Sequence, residues 1–230
     1  MIAPKISIKG SQFRSVNKDE ETILDNSIDV VIVGANPKLS KSWYAQEWTE
    51  DSESSTPDCY SLDGIYPNKN SHAIQNDMCV SCPQNAWGSR TTPTGNKVKA
   101  CVDQKRLAVV FAKGPFNDAH LLQVTPASLK NLNAYQKELS MRGIAPEIVR
   151  TRISFDTMSD YPKLRFSFRG FNSPDNQKSI DVHLGTDKTR IVTGELAVEI
   201  GQSTQSFQDF GFAEETGFIL TDNEQGGSNE

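Results

Sequence analysis

Short apolar or alternating runs, broken by turn formers, set the pattern of this chain. Ile28-Asp29-Val30-Val31-Ile32-Val33 is β-branched and bounded by Gly34 and Pro37, which predicts a buried strand. Arg106 to Phe111 predicts a second strand and His120 to Val124 a shorter third. Thr125-Pro126 then opens a helix, because Thr caps and Pro suits the first helical position, and Gly143 ends it. Leu129, Leu132, Gln136 and Leu139 share one face of that helix, three of them apolar, so it should pack on the sheet. Ile148 to Phe155 and Lys163 to Arg169 alternate, and successive side chains of a strand point to opposite faces. Paired, they present Thr151, Ile153, Phe155, Leu164, Phe166 and Phe168 to a core. They present Arg150, Arg152, Arg165 and Arg169 to the outside. No acid stands among these four arginines, whereas a merely solvated face usually mixes signs. Ile191 to Ile200 reads as a last strand. The expected class is α+β, mainly β, with one packing helix.

Between the first two strands the pattern dissolves. Residues 37–58 read as a loop with exposed aromatics, Trp43, Tyr44 and Trp48, followed by an acidic Ser-rich run. Turn signals fill 57–103, among them Asp63-Gly64, Pro67-Asn68, Gly88-Ser89 and Thr94-Gly95-Asn96. All four cysteines lie here, Cys59, Cys79, Cys82 and Cys101, spaced C-x19-C-x2-C-x18-C. A C-x-x-C pair brings two thiolates to one turn, and two single cysteines can complete a tetrahedron, the donor set of a structural zinc site. Four thiolates leave no open position for water, so such a zinc would fold the chain rather than catalyse. Two other readings stand beside it. Disulfides need an oxidising compartment. The first residues, Met1 to Ser7, carry no apolar segment or cleavage site, so a cytoplasmic setting is expected. A redox C-x-x-C normally begins a helix after a strand, and here Pro83 and a loop follow Cys82. His72 could replace one cysteine.

Composition narrows the partners. No stretch approaches the ~20 apolar residues of a membrane span. The net charge is −5, but its distribution is uneven. All 24 Lys and Arg precede residue 191, together with 21 of the 29 acids, so the body carries +3 and the rest is purely acidic. Such asymmetry marks a tail with a partner of its own. There is no Walker loop, dinucleotide glycine pattern, nucleophile elbow or H-E-x-x-H, so a binding protein is expected rather than an enzyme. Asp156 with Asp160, and Asp175 with Lys178, leave a metal nuclease as a minor alternative. Binding of single strands without sequence preference needs cations along the phosphates and aromatic faces for bases. The candidate cations are Arg90, Lys97, Lys99, Lys105, Arg106, Arg150, Arg152, Arg165 and Arg169. The candidate stacking residues are Trp43, Tyr44, Trp48, Tyr60, Tyr66 and Trp87, with Tyr66 and Trp87 in the most polar surroundings.

Asp58 to Gly64, Cys79-x-x-Cys82 through Ser89, Lys99-Ala100-Cys101 through Leu107, and Thr125 to Lys130 together resemble phage-encoded single-stranded-DNA-binding proteins. These are the helix-destabilising proteins with an OB-fold core, some with a zinc subdomain. The resemblance covers roughly residues 28–170. It implies an OB-fold-like, five-stranded Greek-key barrel whose open face binds the strand. It also implies an acidic tail that recruits replication or recombination proteins and competes with DNA. On this reading residues 1–200 form the DNA-binding domain, with a zinc-binding insertion at about 57–103, and 201–230 form the tail. Coating and protecting single strands in the cytoplasm of a bacterial host would be the task. The alternative is an interaction protein whose zinc knuckle docks another protein.

Overall fold

The computed structural model describes residues 3–18, 20–46, 56–92 and 94–197. Trp48 and the expected tail, 201–230, lie outside the described residues. The fold is α+β and mainly strand: a large, curled, mixed sheet, half of a barrel, with a few helices.

Strands β1 (Lys5–Lys9), β2 (Gln12–Asn17) and β3 (Glu20–Ile23) form a meander that the sequence pattern did not announce. The expected strands follow as β4 (Ser27–Ala35), β9 (Val102–Phe111), β10 (His120–Val124), β11 (Val149–Phe155) and β12 (Leu164–Phe171). Their order is β12-β11-β4-β9-β10-β1-β2-β3, antiparallel except for β1 with β10. The curl is visible in one contact. Phe13 of β2 stacks on Phe155 of β11 at 4.5 Å, although β4, β9, β10 and β1 lie between those strands along the sheet.

Alternation decides what each face buries. Val30, Ile32, Leu107, Val109, Leu122 and Ile153 fill the inner core, joined by Leu132 of helix α1 (Pro126–Met141). Each such side chain stabilises the fold by about 1.5–3 kcal/mol through burial. Helix α1 also buries Tyr135 and Leu139 against Val149, and Tyr135 bonds Thr151 at 2.7 Å. On the opposite face Val31, Val33, Ala108 and Val110 meet Ile180 of α2 (Pro174–Asp181) and Val192 of α3 (Asp187–Thr193).

Helix α3 corrects the strand expected over Ile191 to Ile200, of which 198–200 lie outside the described residues. The β-branched run Ile191-Val192-Thr193 favours a strand locally. Thr186 instead accepts a bond from the Thr189 backbone, capping a helix that places Thr189, Val192 and Thr193 on one buried face. That face sits tightly on the sheet: a Cβ at Gly34 would come within 2.7 Å of Thr189 Cγ2. Among the described residues three helices, α1, α2 and α3, thus pack on the sheet where one was expected. The span 37–58 is also not wholly loop, since β5 (Ser40–Trp43) joins β9, and β6 (Cys59–Ser61) joins β5.

Candidate nucleic-acid interface and cysteine knuckle

The cysteine segment is held to the sheet by the β5–β6 ribbon. Register sets Lys41 opposite Ser61 and Trp43 opposite Cys59, and on the other face Ser42 opposite Tyr60. A turn follows in which the Asp63 carboxylate accepts bonds from Ser61 Oγ (2.9 Å), Ile65 N (2.8 Å) and Tyr66 N (3.2 Å). Burial opposes that charge, but these bonds together hold the carboxyl below its usual range. The chain is then tied by Cys79 N to Ile65 O and by Cys101 N to Gln84 O, each at 2.8 Å. Cys79 and Cys82 sit in and beside a short 3-10 turn, not at the start of an α-helix.

All four cysteines are free thiols and line one cavity of about 20 Å³, together with Lys41 and Trp43. Among the described residues no three Cys, His, Asp or Glu side chains close into a metal-holding cluster, so the thiols share a cavity rather than a finished polyhedron. His72 is exposed and does not line it. Burial pushes the Cys101 thiol up to about 12 and raises Cys79, in both cases against the pull of Lys41, whereas a bound cation would favour the thiolates. Lys41 Nζ bonds Asn85 Oδ1 at 3.0 Å and pairs with Asp103, and Lys99 bonds the same Asn85 oxygen at 3.2 Å. Among the described residues from Gly64 to Ala100, none is buried. A segment without a core of its own needs a cross-link, and four converging thiols are chemically suited to supply one through zinc.

The expected DNA-contacting residues divide into two poles. At the knuckle, Trp87 is 75% exposed. It is followed by a hairpin of β7 (Arg90–Thr91) and β8 (Lys97–Val98) that carries exposed Arg90 and Lys97. A Cβ at Gly88 would touch Lys97 Cδ at 3.6 Å, which sets that lysine beside the tryptophan segment. Tyr66 is exposed and Tyr60 half-buried, while Trp43 is half-buried against the thiols instead of standing in a loop. Lys105 Nζ bonds Pro37 O at 3.1 Å. Arg106 turns its Nε to Thr193 O (2.8 Å) and its Nη2 to Val192 O (3.1 Å), closing the C-terminal end of α3.

The other pole is the outer face of β11 and β12. Arg150, Arg165 and Arg169 are exposed there, as alternation predicts. The face is not free of acids, because β4 pairs with β11 and sets Asp29 opposite Arg152. Their pairing is bidentate, at 2.7 and 2.8 Å. Arg165 lies 3.9 Å from Asp156. The hydrogen bond from Arg152, aided by the charges of Arg152, Arg169 and Arg150, lowers the Asp29 pKa despite some desolvation. The stability this carboxylate contributes is full above the ordinary carboxylate range and is lost as pH falls through its lowered value. Asp29→Asn should therefore melt below wild type at neutral pH, with the gap closing as pH falls through and below the ordinary carboxylate range. A gap independent of pH, read by thermal unfolding, would contradict this pairing.

The poles stand at opposite ends of β9. The ribbon pairs with its start, whereas Ala112, just past its end, bonds Asp29 O at 2.9 Å. Nine residues at about 3.3 Å each separate Asp103 from Ala112 by about 30 Å. Helix α3 packs on the sheet face between them.

Comparison with known proteins finds no matching family model, no matching curated protein and no matching solved structure. Among the described residues no helix is long and apolar enough to cross a membrane.

Proposed function

We propose that the chain binds single-stranded DNA without sequence preference, coating and protecting it during phage replication or recombination in the cytoplasm of a bacterial host. The observation that carries this reading is Trp87, three-quarters exposed on a polar knuckle beside Arg90 and Lys97. A large aromatic with no packing role costs solubility, and beside cations it forms the stacking and phosphate-contacting pair that such binding requires. The curled half-barrel is read as OB-fold-like, and the action as stoichiometric rather than enzymatic. Cys59, Cys79, Cys82 and Cys101 would hold a structural zinc, whose contribution is to fold the knuckle and so position Trp87. The acidic segment 201–230 is proposed to recruit replication or recombination proteins.

Titrating the intrinsic tryptophan fluorescence with oligo-dT tests the reading. Quenching at low salt, reversed as salt rises, is expected, because neutralised phosphates release counterions. Folded protein whose fluorescence does not respond would favour the second reading. That reading has its own observation: Ile74 (47%), Met78 (40%) and Val80 (77%) are exposed on the same knuckle, as in a protein-docking surface.

A further inference from the structure

Beside the knuckle, on the face of the sheet where α3 ends, lies an open cleft of about 420 Å³. That is within the size range of small-ligand sites, roughly 300–1,000 Å³. Its lining comes from segments far apart in the chain. Gln123 of β10 stands opposite Arg106 of β9, and Lys5 enters from β1, which pairs with β10. Tyr60 of β6 and Tyr44, just past β5, contribute aromatic faces, Tyr44 with 42% of its surface exposed.

Arg106 brings a positive charge to the cleft. Among the described residues its guanidinium bonds the two carbonyls that end α3, and no carboxylate pairs with it. Its burial lowers the guanidinium pKa to about 10, which still leaves it charged at neutral pH. Carbonyl dipoles satisfy its hydrogen bonds without cancelling the charge, so an anion in the cleft is favoured. Aromatic faces, an amide and a half-buried cation together suit a base attached to a phosphate, not an apolar ligand. The same ribbon that walls this cleft with Ser42 and Tyr60 presents Lys41 and Cys59 to the thiols, so the cleft and knuckle share one structural element.

We propose that this cleft receives one nucleotide of the bound strand, its base against Tyr44 and Tyr60 and its phosphate toward Arg106 and Lys5. The assignment rests on the single-strand-binding reading and adds a place for the strand that Trp87 and the arginine face do not supply.

The test uses the full chain and oligo-dT carrying 5-iododeoxyuridine, photocross-linked and mapped by mass spectrometry. Oligo-dT affinity is measured alongside for wild type and Tyr44→Ala. Cross-links at Tyr44 or Tyr60, with about ten-fold weaker binding by the alanine variant, are expected from the typical value of one stacked base. If the strand is retained but cross-links only elsewhere, such as at Trp87, the cleft assignment is overturned while strand binding stands. Failure of the wild-type chain to retain the oligonucleotide at all would overturn both. Cross-link mapping on wild type keeps the test decisive should the variant misfold.

Discussion

Cys101→Ser leaves the sheet folded and takes the knuckle apart. Cys101 is buried and lines the thiol cavity, yet neither it nor any residue from Gly64 to Ala100 belongs to a core cluster of the sheet. A structural zinc contributes roughly 10–16 kcal/mol to such a segment, and losing one of four thiolates should weaken metal binding by at least about 100-fold. Metal analysis should read one zinc per wild-type chain and none in the variant. Limited proteolysis should cut the variant between the second and fourth cysteines while sparing β4, β9 and β11. A variant as resistant as wild type, from wild-type protein that never held metal, would remove the zinc assignment. Disulfides would announce themselves separately, as thiols that react only after reduction.

The second large effect separates the two poles. Trp87→Ala should weaken oligo-dT binding about ten-fold with an unchanged salt slope, because stacking is lost and no phosphate contact is. Arg150→Ala with Arg169→Ala should instead flatten the slope, by about 1.4 if each arginine meets one phosphate of a single strand. Arg150 and Arg169 suit this experiment better than Arg152, whose bidentate pairing with Asp29 ties it to the fold. An unchanged slope would confine the strand to the knuckle end of β9. Both variants should keep the wild-type circular dichroism, since Trp87, Arg150 and Arg169 are all exposed.

Much of the candidate interface is legible residue by residue, but not as an arrangement. The alternation of Lys163 to Arg169 predicted an exposed arginine row, and the row is there. Its acid was hidden in plain view. Asp29 interrupts an otherwise apolar strand, a signal that a partner must come from a neighbouring strand, and the partner is Arg152, 123 residues away. Lys41 was likewise missed. Ser40-Lys41-Ser42-Trp43 alternates as a strand does, but the run is short and was absorbed into an expected loop. Lys5 and Gln123 gave no signal, because nothing local distinguishes a polar residue that faces solvent from one that lines a cleft.

Local pattern alone gives the strands β4, β10, β11 and β12, β9 from Arg106 onward, the helix α1 with its start and stop, and the set of four thiols. These rest on properties carried within a few residues: period-two alternation, a Thr-Pro start, a Gly stop, and the chemistry of sulfur. Ile191-Val192-Thr193 winds into α3 only because of long-range packing: burying Val192 and Thr193 on the sheet outweighs their preference for a strand. Long-range packing likewise brings Cys59 beside Cys101 and Lys41, and sets the arginine face and Trp87 at opposite ends of β9. A strand's own pattern encodes its faces. Its neighbours are chosen by edge pairing and core fit between distant segments, and functional surfaces are made of neighbours.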